Sequence, residues 1–133
     1  MTSSPSASES RTSILLVEDD PAIRRSLQLH LRARHLDVRA FGACRPALAD
    51  GAAGEAAVLV SEYRLPDGDG LGLLTALRAK AWRGAAILLT AETTRDLEDA
   101  ARSAGYARVL RKPLIEAALG DLVERLLKEQ RQV

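Results

Sequence analysis

Short apolar runs alternate along this chain with longer stretches in which apolar residues recur every three or four positions. Ser13-Ile14-Leu15-Leu16-Val17 is followed at once by acids, the pattern of a strand buried on both faces. Pro21 suits the first turn of a helix, where its missing N–H costs nothing, and Asp20 before it is the expected cap. Ile23, Leu27 and Leu31 then form one apolar helical face. Leu36, Val38 and Ala40 alternate with Asp37 and Arg39, which predicts a second strand, through Phe41, with one partly exposed face. Cys44 to Asp50 predicts a short helix, ended by Gly51 and Gly54. Ala57-Val58-Leu59-Val60-Ser61 is a third strand, Gly68 and Gly70 mark a loop, and Leu71 to Trp82 is helical. Ala85 to Thr90 is a fourth strand, and Thr94 to Ala104 a helix stopped by Gly105. Ala107 to Arg111 is a fifth strand. The last helix runs from Pro113 to about Glu129, with Ile115, Leu119, Leu122 and Leu126 on one face. Gly120 should weaken it by about 1 kcal/mol relative to alanine.

Strands alternating with helices argue for a parallel sheet covered on both faces. At 133 residues the chain is one ordinary domain with a real core. The pattern assigns residues 1–12 to a disordered leader, 13–130 to the domain and 131–133 to a tail; an attached effector domain is not expected. MTSSPSASESRT has no apolar core and is not a secretory signal. Net charge is +1, from 19 basic and 18 acidic residues, so nothing electrostatic points to nucleic acid or to a membrane surface. No apolar stretch approaches the roughly 18 residues of a membrane span. The single cysteine, Cys44, excludes an internal disulfide and suits a reducing compartment, the cytoplasm.

In open parallel sheets ligands collect beyond the carboxyl ends of the strands. The chemically suggestive residues all lie there: Glu18, Asp19 and Asp20 after the first strand, Glu62 after the third, Thr90 ending the fourth, Lys112-Pro113 after the fifth. Each also has a plain reading. Adjacent acids often only favour a helix N-terminus, a hydroxyl ending a strand usually satisfies local backbone, and a lone lysine is usually solvated. If the acids do meet, they repel and raise one another's pKa unless a cation joins them, and Mg2+ is the natural hard ion. Other sites fail on inspection. The glycines of DGDGLG do not match G-x-G-x-x-G, and no phosphate-binding loop exists. Asp67 and Asp69 hint at a calcium loop, but its twelfth position is Arg78 rather than Glu. His30 and His35 are expected at the surface, and Cys44 has no partner histidine to make it a nucleophile.

Taken in order, these residues resemble the receiver domain of two-component response regulators over essentially Ser13 to Lys128. The resemblance implies a flavodoxin-like (βα)5 three-layer sandwich with strand order 2-1-3-4-5. It implies that Glu18, Asp19 and the acceptor carboxylate hold Mg2+ with the backbone carbonyl of Arg64. It implies that Thr90 and Lys112 contact the phosphoryl group, and that the Lys112–Pro113 bond is cis. The expected partner is a histidine kinase or another signalling protein, and the expected state a monomer or weak homodimer.

Two departures from the family matter. Its acceptor is an aspartate four residues before the proline of the Leu-Pro turn; counting back from Leu65-Pro66 gives Glu62. Glutamate sets its oxygens up to about 1.5 Å further out, and misplacement by about 1 Å can cost ~100-fold in rate. Glu62 also carries charge to where a phosphoryl group would begin, so it can mimic one through Lys112 or Thr90. Mg2+ binding is therefore expected to be weak. The second departure is Val109, where the family carries Tyr or Phe three residues before the lysine. Tyr106, an odd number of residues away, is expected to face elsewhere on a strand of period two. The chain reads as a pseudo-receiver, not an enzyme, acting by protein–protein interaction. The alternative is a receiver that still accepts phosphate from a histidine kinase, with residual self-phosphorylation and dephosphorylation.

Overall fold

The computed structural model describes residues 11–131. The first ten residues of the expected leader, and Gln132 and Val133 of the expected tail, lie outside them. The elements follow in order: β1 (Ser13–Val17), α1 (Pro21–Arg32), β2 (Asp37–Phe41), α2 (Cys44–Ala49), a 3-10 turn (Ala53–Glu55) and β3 (Val58–Glu62). A small antiparallel ladder pairs Arg64–Leu65 with Gly68–Asp69. Then come α3 (Gly70–Ala79), β4 (Ala85–Thr90), α4 (Arg95–Ala104), β5 (Arg108–Arg111) and α5 (Glu116–Arg131). All four pairings of the five-stranded sheet are parallel, in the order β2-β1-β3-β4-β5.

Alternate residues of the strands feed two cores, one on each sheet face. Ile14, Leu16, Val58, Val60, Ile87 and Leu89 pack with α1 and α5 through Leu27, Leu31, Leu119 and Val123. Leu15, Val17, Leu59, Ala86 and Leu88 pack with α2, α3 and α4 through Ala47, Leu73, Leu74 and Ala101. This is the flavodoxin-like three-layer sandwich, and it brings the carboxyl ends of β1, β3, β4 and β5 to one edge.

Side chains set most helix starts. The Asp20 carboxylate accepts from the N–H groups of Ala22 and Ile23, Asp69 caps α3 at Gly72, and Thr94 caps α4 at Leu97. α2 has no local cap. Asp67, 23 residues on, accepts from the Cys44 and Arg45 N–H groups at 2.7 and 2.8 Å. These two amide bonds hold its carboxyl below the ordinary range. The acids that hint at a calcium loop are thus both helix caps.

Four sequence-based expectations need correction. Helix α5 starts at Glu116, so Ile115 is off its register and 74% exposed; the same helix runs on to Arg131, inside the expected tail. Helix α3 ends at Ala79, and Trp82 beyond it enters the core, its indole N–H donating to the Ala56 carbonyl at 2.7 Å. His35 is exposed, but His30 is half-buried, three residues from Leu27 at the margin of the apolar face, and its Nε2 is shielded from water without a hydrogen-bond partner.

Gly120 is the fourth correction. An added Cβ would collide with Arg34 Nε and Cζ. The glycine admits the Arg34 guanidinium, which pairs with Asp121 and Glu124 at 3.0 Å and reaches the Ala117 carbonyl at 3.3 Å. Gly120→Ala should therefore miss the usual helix-propensity gain of about 1 kcal/mol. In an Arg34→Ala background the same substitution should deliver that gain. Urea unfolding of the four chains checks this; equal effects in both backgrounds would contradict it.

Candidate functional site

The site is built from strand ends. Glu18 follows β1, its N–H donating to the Phe41 carbonyl at 2.9 Å. Its own carbonyl accepts from Arg24 Nη1 at 2.8 Å, and its Oε2 accepts from the Asp20 N–H at 3.0 Å. Glu62 ends β3, in register with Leu89 of β4. The Lys112 N–H donates to the Thr90 carbonyl at 2.8 Å, which fixes the end of β5 to the end of β4. The Lys112–Pro113 peptide bond is cis.

Lys112 bridges two carboxylates. Its Nζ lies 2.7 Å from Glu18 Oε1 and pairs closely with Glu62 Oε1. Glu62 Oε2 accepts from the Tyr63 N–H at 2.9 Å, a donor it shares with the Leu89 carbonyl of β4 at 2.8 Å, and, at 3.4 Å, from the Arg64 N–H. Both oxygens of Glu62 are thus engaged. Glu18 is fully buried, Glu62 is 7% exposed and the Lys112 side chain 17%. Burial raises the Glu18 carboxyl above its ordinary value, aided by the nearby Glu62 charge and opposed by Lys112 and the Asp20 amide. Burial alone would lower the Lys112 ammonium; its bonds to Glu18 and Glu62 outweigh that and raise it.

Asp19 is exposed beside this group. One oxygen each from Glu18, Asp19 and Glu62 lie within 4.8 Å of one another, a spacing and donor type that fit a hard divalent cation. The backbone of Arg64 enters the short ladder, while its exposed side chain pairs with Glu92 at 2.9 Å. Thr90 is buried but turned to its own loop. Its hydroxyl donates to the Glu92 carbonyl at 2.9 Å and accepts from the Glu92 N–H at 3.2 Å. The structure therefore brings Glu18, Asp19, Glu62 and Lys112 together and holds the Thr90 hydroxyl on a local turn. Cys44 is buried away from them, its thiol pushed up to about 11 by burial and by Asp67, so little thiolate forms at neutral pH.

Tyr106 corrects a further expectation. It lies before the first residue of β5, so strand alternation does not reach it. Its ring enters the core against which Val109 also packs, and its hydroxyl donates to the Gly70 carbonyl at 2.6 Å. Sequence periodicity could not find this contact, because a bend at Ala107 separates Tyr106 from the strand that starts at Arg108.

A five-stranded parallel sheet with acids, a hydroxyl and a lysine at the carboxyl ends of its strands defines a receiver-type signalling domain. The chain belongs to the response regulator receiver domain family, whose model matches residues 14–124. It is 31% identical over 125 residues to the C4-dicarboxylate transport transcriptional regulatory protein DctD of Pseudomonas aeruginosa, covering 94% of this chain and 27% of that protein. It is 32% identical over 116 residues to the KDP operon transcriptional regulatory protein KdpE of Escherichia coli K12, covering 86% of this chain and 49% of that one. The chain thus spans about a quarter to a half of the length of the curated relatives it matches. The fold is shared with a receiver domain protein of Methanospirillum hungatei at TM-score 0.82 and 21% identity, covering 92% of this chain and 98% of that one. It is also shared with the chemotaxis response regulator CheY4 of Vibrio cholerae at TM-score 0.81 and 23% identity, covering 88% and 99%. Among the described residues no helix is long and apolar enough to cross a membrane.

Proposed function

We propose that this receiver is a pseudo-receiver, working in the cytoplasm by protein–protein contact without ordinary aspartyl phosphorylation. The observation that carries this is the state of Glu62. One of its oxygens pairs with Lys112 and the other accepts from backbone N–H groups at the strand end. Cations and N–H groups so placed are what an added phosphoryl group would need. Glu62 supplies a built-in negative charge to them. It would be a poor nucleophile, because in-line attack requires a free oxygen at near-attack distance.

The partner is a histidine kinase or another signalling protein that recognises the surface Glu62 helps to fix. Two of the relatives are transcriptional regulatory proteins, which suits a module in a gene-control system. Mg2+, when bound, would be held by Glu18, Asp19, Glu62 and the Arg64 carbonyl and would neutralise their charge. Binding is weak because Lys112 already does so. The retained set of Glu18, Asp19, Thr90 and Lys112 favours the second reading, a receiver that still takes phosphate from a kinase.

Incubation with Mg2+ and acetyl phosphate, read by intact mass and by base lability, separates the two. The native chain should gain no phosphate, and Glu62→Asp should gain one. Labelling of the native chain at the rate of the aspartate variant would overturn the first reading in favour of the second.

A further inference from the structure

Tyr106 is 5% exposed, and its hydroxyl is bonded not within its own element but to the first residue of α3. That residue, Gly70, lies against the end of β3. An added Cβ there would fall 2.7 Å from the Glu62 carbonyl oxygen and 3.2 Å from Ser61 Oγ. The Gly70 N–H donates to the Tyr63 carbonyl at 2.7 Å, and the Ser61 hydroxyl donates to the Glu62 carbonyl at 2.9 Å. Ser61, Glu62, Tyr63 and Gly70 are therefore held together by two hydrogen bonds and the close approach of Gly70 to the Glu62 carbonyl. The backbone of the Tyr106 segment is itself anchored. The Tyr106 N–H donates to Ala101 of α4 at 2.9 Å, and the Ala107 N–H to Ala86 of β4 at 2.8 Å. The phenol is a neutral donor, since burial raises it far above neutrality against the small opposing pull of Ser61.

We propose that Tyr106 is a positioning residue of the Glu62 site. Its hydroxyl, through Gly70, fixes the height of the Glu62 backbone and so the reach of its carboxylate to Lys112 and to the Tyr63 and Arg64 N–H groups. The same bond carries the state of Glu62 to α4 and the start of β5, which Tyr106 adjoins. This rests on Glu62 being the functional carboxylate. The test uses neither phosphate nor a partner, so its failure is distinct from a failure of that reading.

The test is amide NMR and hydrogen exchange on the unliganded chain. Tyr106→Phe keeps the ring and removes the hydroxyl. The Tyr63 and Arg64 amides should shift, and the Arg64 amide should exchange roughly two- to tenfold faster relative to global unfolding, the size of one modest hydrogen bond, while the Leu89 carbonyl still holds the Tyr63 N–H. Trp82→Phe is the control. It removes another buried bond from an aromatic side chain to a carbonyl, at the far end of the sheet, and should leave those two amides unmoved. A reciprocal arm needs no change at Tyr106: Glu62→Gln should move the Gly70 carbonyl carbon and the Tyr106 ring resonances but not the Trp82 indole N–H. The proposal is overturned if the two aromatic variants affect Tyr63 and Arg64 alike. It is equally overturned if Glu62→Gln leaves Gly70 and Tyr106 unchanged.

Discussion

Lys112→Met should destabilise the domain by about 3–5 kcal/mol at neutral pH, the range for removing one partner of a buried ion pair. The reason is the company Lys112 keeps. Glu18 is fully buried and Glu62 nearly so, and Lys112 Nζ lies between their Oε1 atoms. Without the ammonium, two largely buried carboxylates face each other unpaired. The loss should depend on pH in a fixed direction. The Glu18 carboxyl is already raised by burial from its ordinary 4.5, and losing Lys112 raises it further. A carboxyl with a raised folded-state pKa holds its proton in the folded state where the unfolded state has released it. Stability then falls as pH rises from about 4.5 towards the folded-state value. The deficit of Lys112→Met should be small near pH 4 and larger at pH 7.5. Mg2+ at millimolar concentration should restore part of it, because the ion replaces the missing cation. Urea unfolding at the two pH values, with and without Mg2+, reads all three effects. A deficit that does not change with pH would show that Lys112 contributes by packing rather than by charge.

Glu62→Asp should tighten Mg2+ binding by roughly 10–100-fold. Shortening the side chain withdraws its oxygens by about 1.5 Å and weakens the contacts to Lys112 and the Tyr63 N–H. A charge-assisted hydrogen bond is worth roughly 1.5–3 kcal/mol, and each 1.4 kcal/mol is about tenfold in affinity. In the native chain the ion must displace Lys112 from Glu62; in the variant that competition is reduced. Calorimetric titration of both chains measures it, and equal or tighter binding by the native chain would contradict the account.

The strands were legible because β1, β3 and β4 are buried on both faces and read as unbroken apolar runs. Asp20 was legible as a cap because capping is local; Thr94 was read only as the start of its helix, which it caps. Sequence pattern placed Glu18, Glu62, Thr90 and Lys112 at strand ends, but the resemblance supplied the strand order that makes those ends neighbours. The remainder depends on contacts distant in sequence. Asp67 caps α2 across 23 residues, and Arg34 occupies the space that Gly120 leaves open. Tyr106 lies before β5, outside its register, and finds Gly70 36 residues away. Thr90 shows the opposite case, in which the plain reading describes the structure: its hydroxyl satisfies its own loop. Of the two contacts expected of a phosphoryl mimic, Glu62 makes the one to Lys112, while Thr90 stays on its local turn.

That division makes the central claim measurable. Amide spectra of the native chain, of Glu62→Asp, and of Glu62→Asp treated with beryllofluoride should be compared residue by residue. If Glu62 acts as a built-in substitute for the phosphoryl group, the native resonances of Tyr63, Arg64 and Lys112 should fall near the beryllofluoride form, while those of Thr90 and Glu92 stay with the untreated variant. If the native spectrum coincides with untreated Glu62→Asp at every one of these residues, Glu62 mimics nothing and the account is wrong.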